Sequence, residues 1–317
     1  MPLHIRISLT WYPTSLGQKD RGAGQTSNSG TAELLWGICT MRWSKSSPLL
    51  AGLPVLAAFF STVPAHAVDG QTASTPDSGF IITLGGSVEM APDYPGARRQ
   101  GISGLPSIDI RRFDEVEELS ATDDGIDYSL LDIAGFEFGP VIGFRDRRNS
   151  SAAGFPGLHD LSFDVDAGVF LQTWVVPDQL RFRTEIRQAL TNGSGLEVDT
   201  GIDWFKRLGS DWVLALGPRL SFADASYMQS YFGVSPHEAA LSGLSAYNAG
   251  GGLKSVGLTA SISYQISPTW SLDLYDRLDD LTGNAARSPI TRSSAGSRLQ
   301  NTAGVSLSHS FSLDLGH

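Results

Sequence analysis

Two shortages exclude more about this 317-residue chain than any motif asserts: it has one cysteine and no apolar run long enough to cross a membrane as a helix. The lone thiol, Cys39, rules out an intrachain disulfide framework and any cysteine-rich metal site. The longest apolar stretch, Leu49 to Phe60, is interrupted at Pro54 and followed by Pro64, short of the ~20 residues a spanning helix needs. Basic residues are the third shortage. With 23 Lys and Arg against 33 Asp and Glu, the net charge of −10 excludes a nucleic-acid binder.

That short apolar stretch has a different use. Arg42 and Lys45 precede it, and Ala65-His66-Ala67 follows with small residues at the two positions that a signal peptidase reads. Residues 41–67 are therefore expected to be a secretory signal peptide starting at Met41. Residues 1–40, polar and without period, are expected to be a non-native upstream extension. The mature chain would begin at Val68 without any cysteine, and with a segment 68–79 ahead of the folded domain.

What the chain has in abundance is alternation. From Leu180 to Arg187, Leu180, Phe182, Thr184 and Ile186 alternate with Arg181, Arg183, Glu185 and Arg187. Successive strand residues face opposite sides, so one face is apolar and the other carries three cations and an anion. The dyad recurs with Glu137 and Arg145, with Asp164 and Asp166, with Glu197, Asp199 and Asp203, and with Arg219, each set between apolar neighbours. A sandwich and a membrane barrel both fit such strands. The export signal favours the barrel, because only helices and closed barrels satisfy every backbone group in lipid.

The spacing predicts an all-β, antiparallel transmembrane barrel of about twelve strands over residues 80–311, with ten as the alternative, and a tail at 312–317. The strands are expected at 80–90, 106–112, 116–121, 125–132, 136–145, 161–175, 179–190, 195–205, 211–223, 253–265, 269–278 and 298–311. Connections then segregate by parity into short periplasmic turns and long outer loops, as in bacterial barrels. Trp174, Trp204, Trp212 and Trp270 fall beside the short turns, where outward-facing aromatics would form an interfacial girdle. The alternating charges Glu137, Arg145, Asp164, Asp166, Arg181, Arg183, Glu185, Arg187, Glu197, Asp199, Asp203 and Arg219 are expected to line the lumen, with Asp164 and Asp166 facing Arg183 and Arg187.

One loop and its flanks carry a resemblance. Gly217-Pro218-Arg219, Tyr227-Met228, Tyr231-Phe232-Gly233-Val234-Ser235-Pro236, Tyr247 and Gly250-Gly251-Gly252-Leu253-Lys254-Ser255-Val256-Gly257, with Pro92-Asp93-Tyr94, Trp270-Ser271-Leu272 and Ser288-Pro289-Ile290, resemble the MipA/OmpV family of outer-membrane proteins. The resemblance covers the mature chain in order. It implies an outer-membrane barrel inserted by the barrel-assembly machinery, with no catalytic site, cofactor or metal. One family member is described as a scaffold joining the lytic transglycosylase MltA to a peptidoglycan synthase; others are linked to adhesion, osmoregulation and antibiotic uptake. A scaffold for murein enzymes is thus the leading expectation, with porin-like passage of small solutes or surface adhesion as alternatives. The motif Tyr227, Tyr231, Phe232, Gly233 and Val234 would be either a binding epitope or a lid over the barrel mouth, and aromatic loop residues more often pack on their own scaffold.

An enzyme would need a histidine and carboxylates converging from different loops, for instance His159 with Asp93. The barrel's final aromatic, Phe311, is the candidate assembly signal, followed by six residues. Mass spectrometry of the protein isolated from outer membranes is expected to find Val68 at its N-terminus; a membrane-borne chain still carrying residues 1–40 would reject the leader assignment.

Overall fold

The computed structural model describes residues 5–8, 79–114, 118–145, 147–191 and 195–314. The expected upstream extension apart from residues 5–8, the expected leader 41–67, the segment 68–78 and the last three residues lie outside the described residues.

Alternation and β-branched or aromatic content make the strands. In chain order they are β1 (Ile5–Ser8), β2 (Gly79–Pro92), β3 (Gln100–Arg112), β4 (Ile126–Asp127), β5 (Leu131–Ile133), β6 (Phe136–Arg145), β7 (Asp164–Val176), β8 (Leu180–Ala189), β9 (Leu196–Leu208), β10 (Trp212–Ala223), β11 (Gly252–Ser267), β12 (Trp270–Leu281) and β13 (Leu299–Asp314). All pair antiparallel in one sheet of order β1-β3-β2-β13-β12-β11-β10-β9-β8-β7-β6-β4, with β5 also on β6. Pairing of β2 with β13 joins the two ends of the domain, as closure of a barrel requires. β1 pairs with β3 and lies alongside β4, so the sheet curls round on itself. Those four residues belong to the stretch read from sequence as an upstream extension, and they occupy a strand edge that β3 leaves open at Ser107 to Ile110.

The sheet is inside out relative to a soluble protein. Val169, Ile186, Ile202, Leu216, Leu220, Leu258, Leu274 and Val305 are exposed on its outer face, while Arg145, Arg181, Arg183 and Asp203 are buried within. Strands of 10 to 16 residues, outward apolar and inward charged, are those of a membrane-spanning β-barrel. Among the described residues no helix is long and apolar enough to cross a membrane. At one end the turns are tight. Ala134 (φ 56°) and Gly135 (φ 81°) both take the left-handed conformation that a two-residue hairpin requires. At the other end stand the long connections, which hold helices α1 (Ala225–Phe232), α2 (Pro236–Ser242), α3 (Gly283–Arg287) and α4 (Pro289–Arg292).

Three expectations are corrected. The strand expected at 116–121 is not formed: its described part, 118–121, has no strand pairing, and the short β4 and β5 together replace the strand expected at 125–132. The physical reason is in the sequence. Glu117 and Glu118 are adjacent, so in a barrel wall one of them would have to face lipid. The strand expected to stop at Phe311 continues to Asp314, which pairs with Gly79, so no tail starts at 312. Trp174 is not in the outward phase. It pairs with buried Arg181 and its ring lies 5.5 Å from that of buried Phe205, so it packs inside the inner rim. Trp204 and Trp212 are exposed outward, Trp212 stacked on Tyr264 at 4.2 Å. Trp270 heads an outward row, edge-on to His309 at 4.4 Å, which in turn meets Phe311 at 4.3 Å.

The phases can be tested on two strands. Ile186 lies between Val169 and Val198 on the outer face, so Ile186→Arg should destabilise the barrel by ~2–4 kcal/mol in urea titrations in bilayers. Ser308, on the inner face opposite Gly85 and Ser271, should accept Arg with little loss. Equal losses for the two would reject the phase assignment.

Candidate functional site

Four side chains of β8, Arg181, Arg183, Glu185 and Arg187, project inward at every second residue, which puts three guanidinium groups on one wall. Inward glycines make room for such long side chains to lie across neighbouring strands. A Cβ on Gly201 or on Gly217 would stand 2.7 Å from an Arg219 terminal nitrogen, which gives the Gly217-Pro218-Arg219 motif a packing reason.

Buried guanidinium groups require carboxylates close by, since an unpaired buried charge costs several kcal/mol. Two carboxylates come from an unexpected place. The segment after 118–121 runs into the lumen, where Asp124 takes a two-pronged bond from Arg181 at 2.8 and 3.0 Å. Asp123 takes one from Arg219 at 2.7 and 2.9 Å and a third bond from Arg277 at 2.9 Å. Asp203 bridges Arg181 and Arg219 at 2.8 and 2.6 Å. A continuous chain of ion pairs therefore crosses from β8 through β9 and β10 to β12. Arg183 bonds Asp127, Glu185 and the Gln172 oxygen and lies over the Phe170 ring at 4.4 Å. Arg187 pairs with Asp199, and Lys254 with Glu197. The free volume left among Asp123, Arg183, Arg187, Asp199 and Arg219 is about 40 Å³, room for a water or so and not for a solute.

All twelve charges read from the alternation lie on the inward face, but the pairing differs from expectation. Asp166 pairs with Arg145 at 2.7 Å, and Asp164 accepts from the Thr191 backbone N–H and hydroxyl. Asp166 is thus taken by Arg145, while Arg183 and Arg187 are satisfied along their own strand and by Asp124, Asp127 and Asp199. Glu137 accepts from Gln172 at 2.8 Å. Asp123, Asp124, Asp127, Lys254 and Arg277 were not anticipated. Arg277 and Asp279 did carry a signal, since they alternate with Leu274 and Leu278.

Over the lumen sits a helical lid. Asp224 caps α1 by accepting from the Tyr227 N–H at 2.8 Å. The helix buries Tyr227, Met228, Tyr231 and Phe232 against Ala223, Ala249, Leu281 and Ala285. Val234 continues the packing against Tyr94, Phe155 and Ile290, and Gly233 closes the helix by donating to the Gln229 carbonyl. Tyr227 fastens the lid to the lumen charges: it stacks on Tyr231, with the Arg145 guanidinium 4.7 Å and the Lys254 ammonium 5.0 Å from its ring centroid. At the other end of α1, Arg148 donates to the carbonyls of Tyr231 and Ser230, where a cation meets the negative end of the helix.

His159 is clamped to α2. Its ring nitrogen is 2.6 Å from Glu238, which also accepts from the backbone N–H groups of His159 and Ser235 and completes the capping box. The acid–base pair considered from sequence, His159 with Asp93, is not assembled, because Asp93 is bound to Arg99. Burial would raise the Glu238 carboxyl, but the hydrogen bonds from His159 and Ser235 outweigh it and bring it down to about 2.

The sequence model of a family described as "MltA-interacting protein MipA" matches residues 84–311, from the first long strand to Phe311. Among curated proteins nothing matches the chain. Of solved structures, the COG4313 outer-membrane channel of Pseudomonas putida F1 is 11% identical over 78% of this chain and all of that one, with a TM-score of 0.35. A Pseudomonas aeruginosa FadL homologue is 11% identical over 75% and 90% of the respective chains, with a TM-score of 0.24. Both are too distant in backbone geometry to inform the arrangement of this lumen.

A carboxyl held low stabilises the fold above its ordinary value of 4.5, and that stability is lost as pH falls towards about 2. Between those values the clamp on α2 should loosen, seen as faster hydrogen exchange at the Arg148 and Leu161 amides that bridge the loop. Glu238→Gln should show the faster exchange already at pH 7 and lose this acid dependence; an unchanged profile would reject the clamp.

Proposed function

The chain belongs to the MipA family, and from that premise we propose that it is an exported, non-enzymatic outer-membrane barrel that scaffolds murein enzymes, holding a lytic transglycosylase of the MltA kind and a peptidoglycan synthase at the inner face of the membrane. The observation that supports this reading is the bracing of the lumen by charge. Asp123 and Asp124 tie three walls of the barrel together, and α1 covers the mouth, which leaves no room for a solute among the β8–β12 charges. Function is then left to the rims. At the end of the tight turns Asp178, Lys206, Arg207 and Asp211 are exposed, a small polar surface suited to a weak or multipoint contact.

Passage of small solutes is the second reading, and the arginine wall favours it, since inward charge rings govern which ions pass through barrels. It requires the Asp123–Asp124 segment to leave the lumen.

Two measurements separate the readings. In planar bilayers the purified protein should show no steady conductance, whereas Asp123→Ala with Asp124→Ala should conduct once the lid helix 225–232 is also removed. In pull-downs with the two murein enzymes, replacing residues 206–210 and 176–178 should weaken retention several-fold, and the lumen double variant should not. A wild-type barrel that conducts and retains neither enzyme would overturn the scaffold.

A further inference from the structure

A cavity of about 350 Å³ opens among the long connections, outside the lumen and unconnected with the proposed docking rim. Three loops build it. The β2–β3 connection supplies Tyr94, Ala97, Arg98 and Arg99, the loop after β6 supplies Ala153, and the segment before β13 supplies Ala295. They are stitched by the Ala97–Gly296 bridge and by the bonds Arg98 N–H to Ala295 O and Ser297 N–H to Gly96 O, so the pocket is formed without a ligand.

Its chemistry is uneven. The floor is alanine methyls and the buried Tyr94 ring, an apolar surface of ring size. Its charged lining is two arginines and one carboxylate, Arg98, Arg99 and Asp93. Arg99 is matched by Asp93, but Arg98, exposed at the rim, spends only its Nε, on the Gly296 carbonyl at 3.1 Å, and presents its terminal nitrogens to solvent without a partner among the described residues. Behind Tyr94 lies a second cation, Arg148, 1% exposed and 5.7 Å from the ring centroid, with the carboxylates of Glu238 and Asp160 among the charges that act on it. Its hydrogen-bond partners are carbonyl groups, and its Nε has no hydrogen-bond partner. The volume is in the range of small-ligand clefts, and an apolar floor beside an unspent guanidinium edge is the polarity such a ligand would match.

We propose that this outer pocket binds a small organic anion, a carboxylate on an apolar body about the size of a benzene ring, with Arg98 as the ion-pairing residue and the Tyr94 ring and alanine methyls as the floor. A free guanidinium edge suits a carboxylate's two oxygens, and the methyl floor gains from covering by a ring. The same chemistry could come from a soluble acid or from an anionic headgroup of the surrounding membrane lipid, and the probes distinguish them.

The test is titration of the mature protein, in zwitterionic micelles, with benzoate, benzamide and benzylamine, followed by calorimetry and by ligand-observed NMR. Benzoate should bind saturably, benzamide at least tenfold more weakly, and benzylamine not at all. Arg98→Gln should weaken benzoate at least tenfold, and Arg98→Lys less. Ala152→Leu, at an exposed lining position, should abolish binding by filling the cavity while barrel formation, read from heat-modifiable gel mobility, stays intact. If added lipopolysaccharide competes with benzoate, the natural anion is a lipid headgroup; if it does not, it is a soluble acid. Equal binding of benzamide, or benzoate binding indifferent to Ala152→Leu and Arg98→Gln in folded protein, would overturn the site.

Discussion

The ion pairs of Asp123 and Asp124 with the lumen arginines are what the rest of the barrel depends on. Arg181, Arg219 and Arg277 stand on three different strands, and Asp203 and Asp279 alone would leave these three cations facing one another with two carboxylates among them. Like charges at that range repel, and each guanidinium withdrawn from water needs a partner. A carboxylate delivered from the wall itself, such as Asp203, can serve two neighbouring strands; only one delivered from inside can tie β10 to β12 through a single oxygen pair. The cost of this device is a stretch of chain taken out of the wall, and the short β4 and β5 are what remains of it there.

The lid is an extension of the same electrostatics. Arg145 balances Asp166 within the lumen and lies over the Tyr227 ring above it, and Lys254 does the same while paired with Glu197. Burial lifts the Tyr227 hydroxyl far above its ordinary value, so the ring stays neutral and acts as a platform for cations rather than as an acid. Arg148, from the next loop, closes the end of α1. The charges that fill the bore thus also hold down its cover.

Much of the wall was legible, because a barrel strand obeys a period of two and a charged residue has only one side on which to be. Arg181 to Arg187, Asp199 with Asp203, and Arg219 declared their face by parity alone. Trp174 shows where a second rule misleads. Its nearness to a tight turn suggested the girdle, yet it shares the parity of Asp164, Asp166 and Gln172, and the phase of the strand decides. Asp123 and Asp124 were not legible, since their partners are 57 to 154 residues away and an Asp-Asp-Gly stretch reads as an ordinary surface turn. Pairing partners across the lumen were equally hidden. Alternation says that Arg183 points inward; it is silent on whether Asp166 or Asp127 will reach it.

Two closures of different kind bear on how this barrel could ever act as a conduit. The lumen segment is held by charge, and its ion pairs exchange for hydration as soon as water enters, so opening there is offset by solvation. The lid is held by packing of Met228, Tyr231 and Phe232, all but fully buried, which water does not replace. Hydration of the ion pairs loosens the first and leaves the second in place. A solute that opened the barrel would therefore have to bind the lid-open state better than the closed one by more than the packing it disrupts, and nothing at the lumen charges supplies that difference. The apolar lid, more than the ion pairs beneath it, is what inclines this barrel towards a platform.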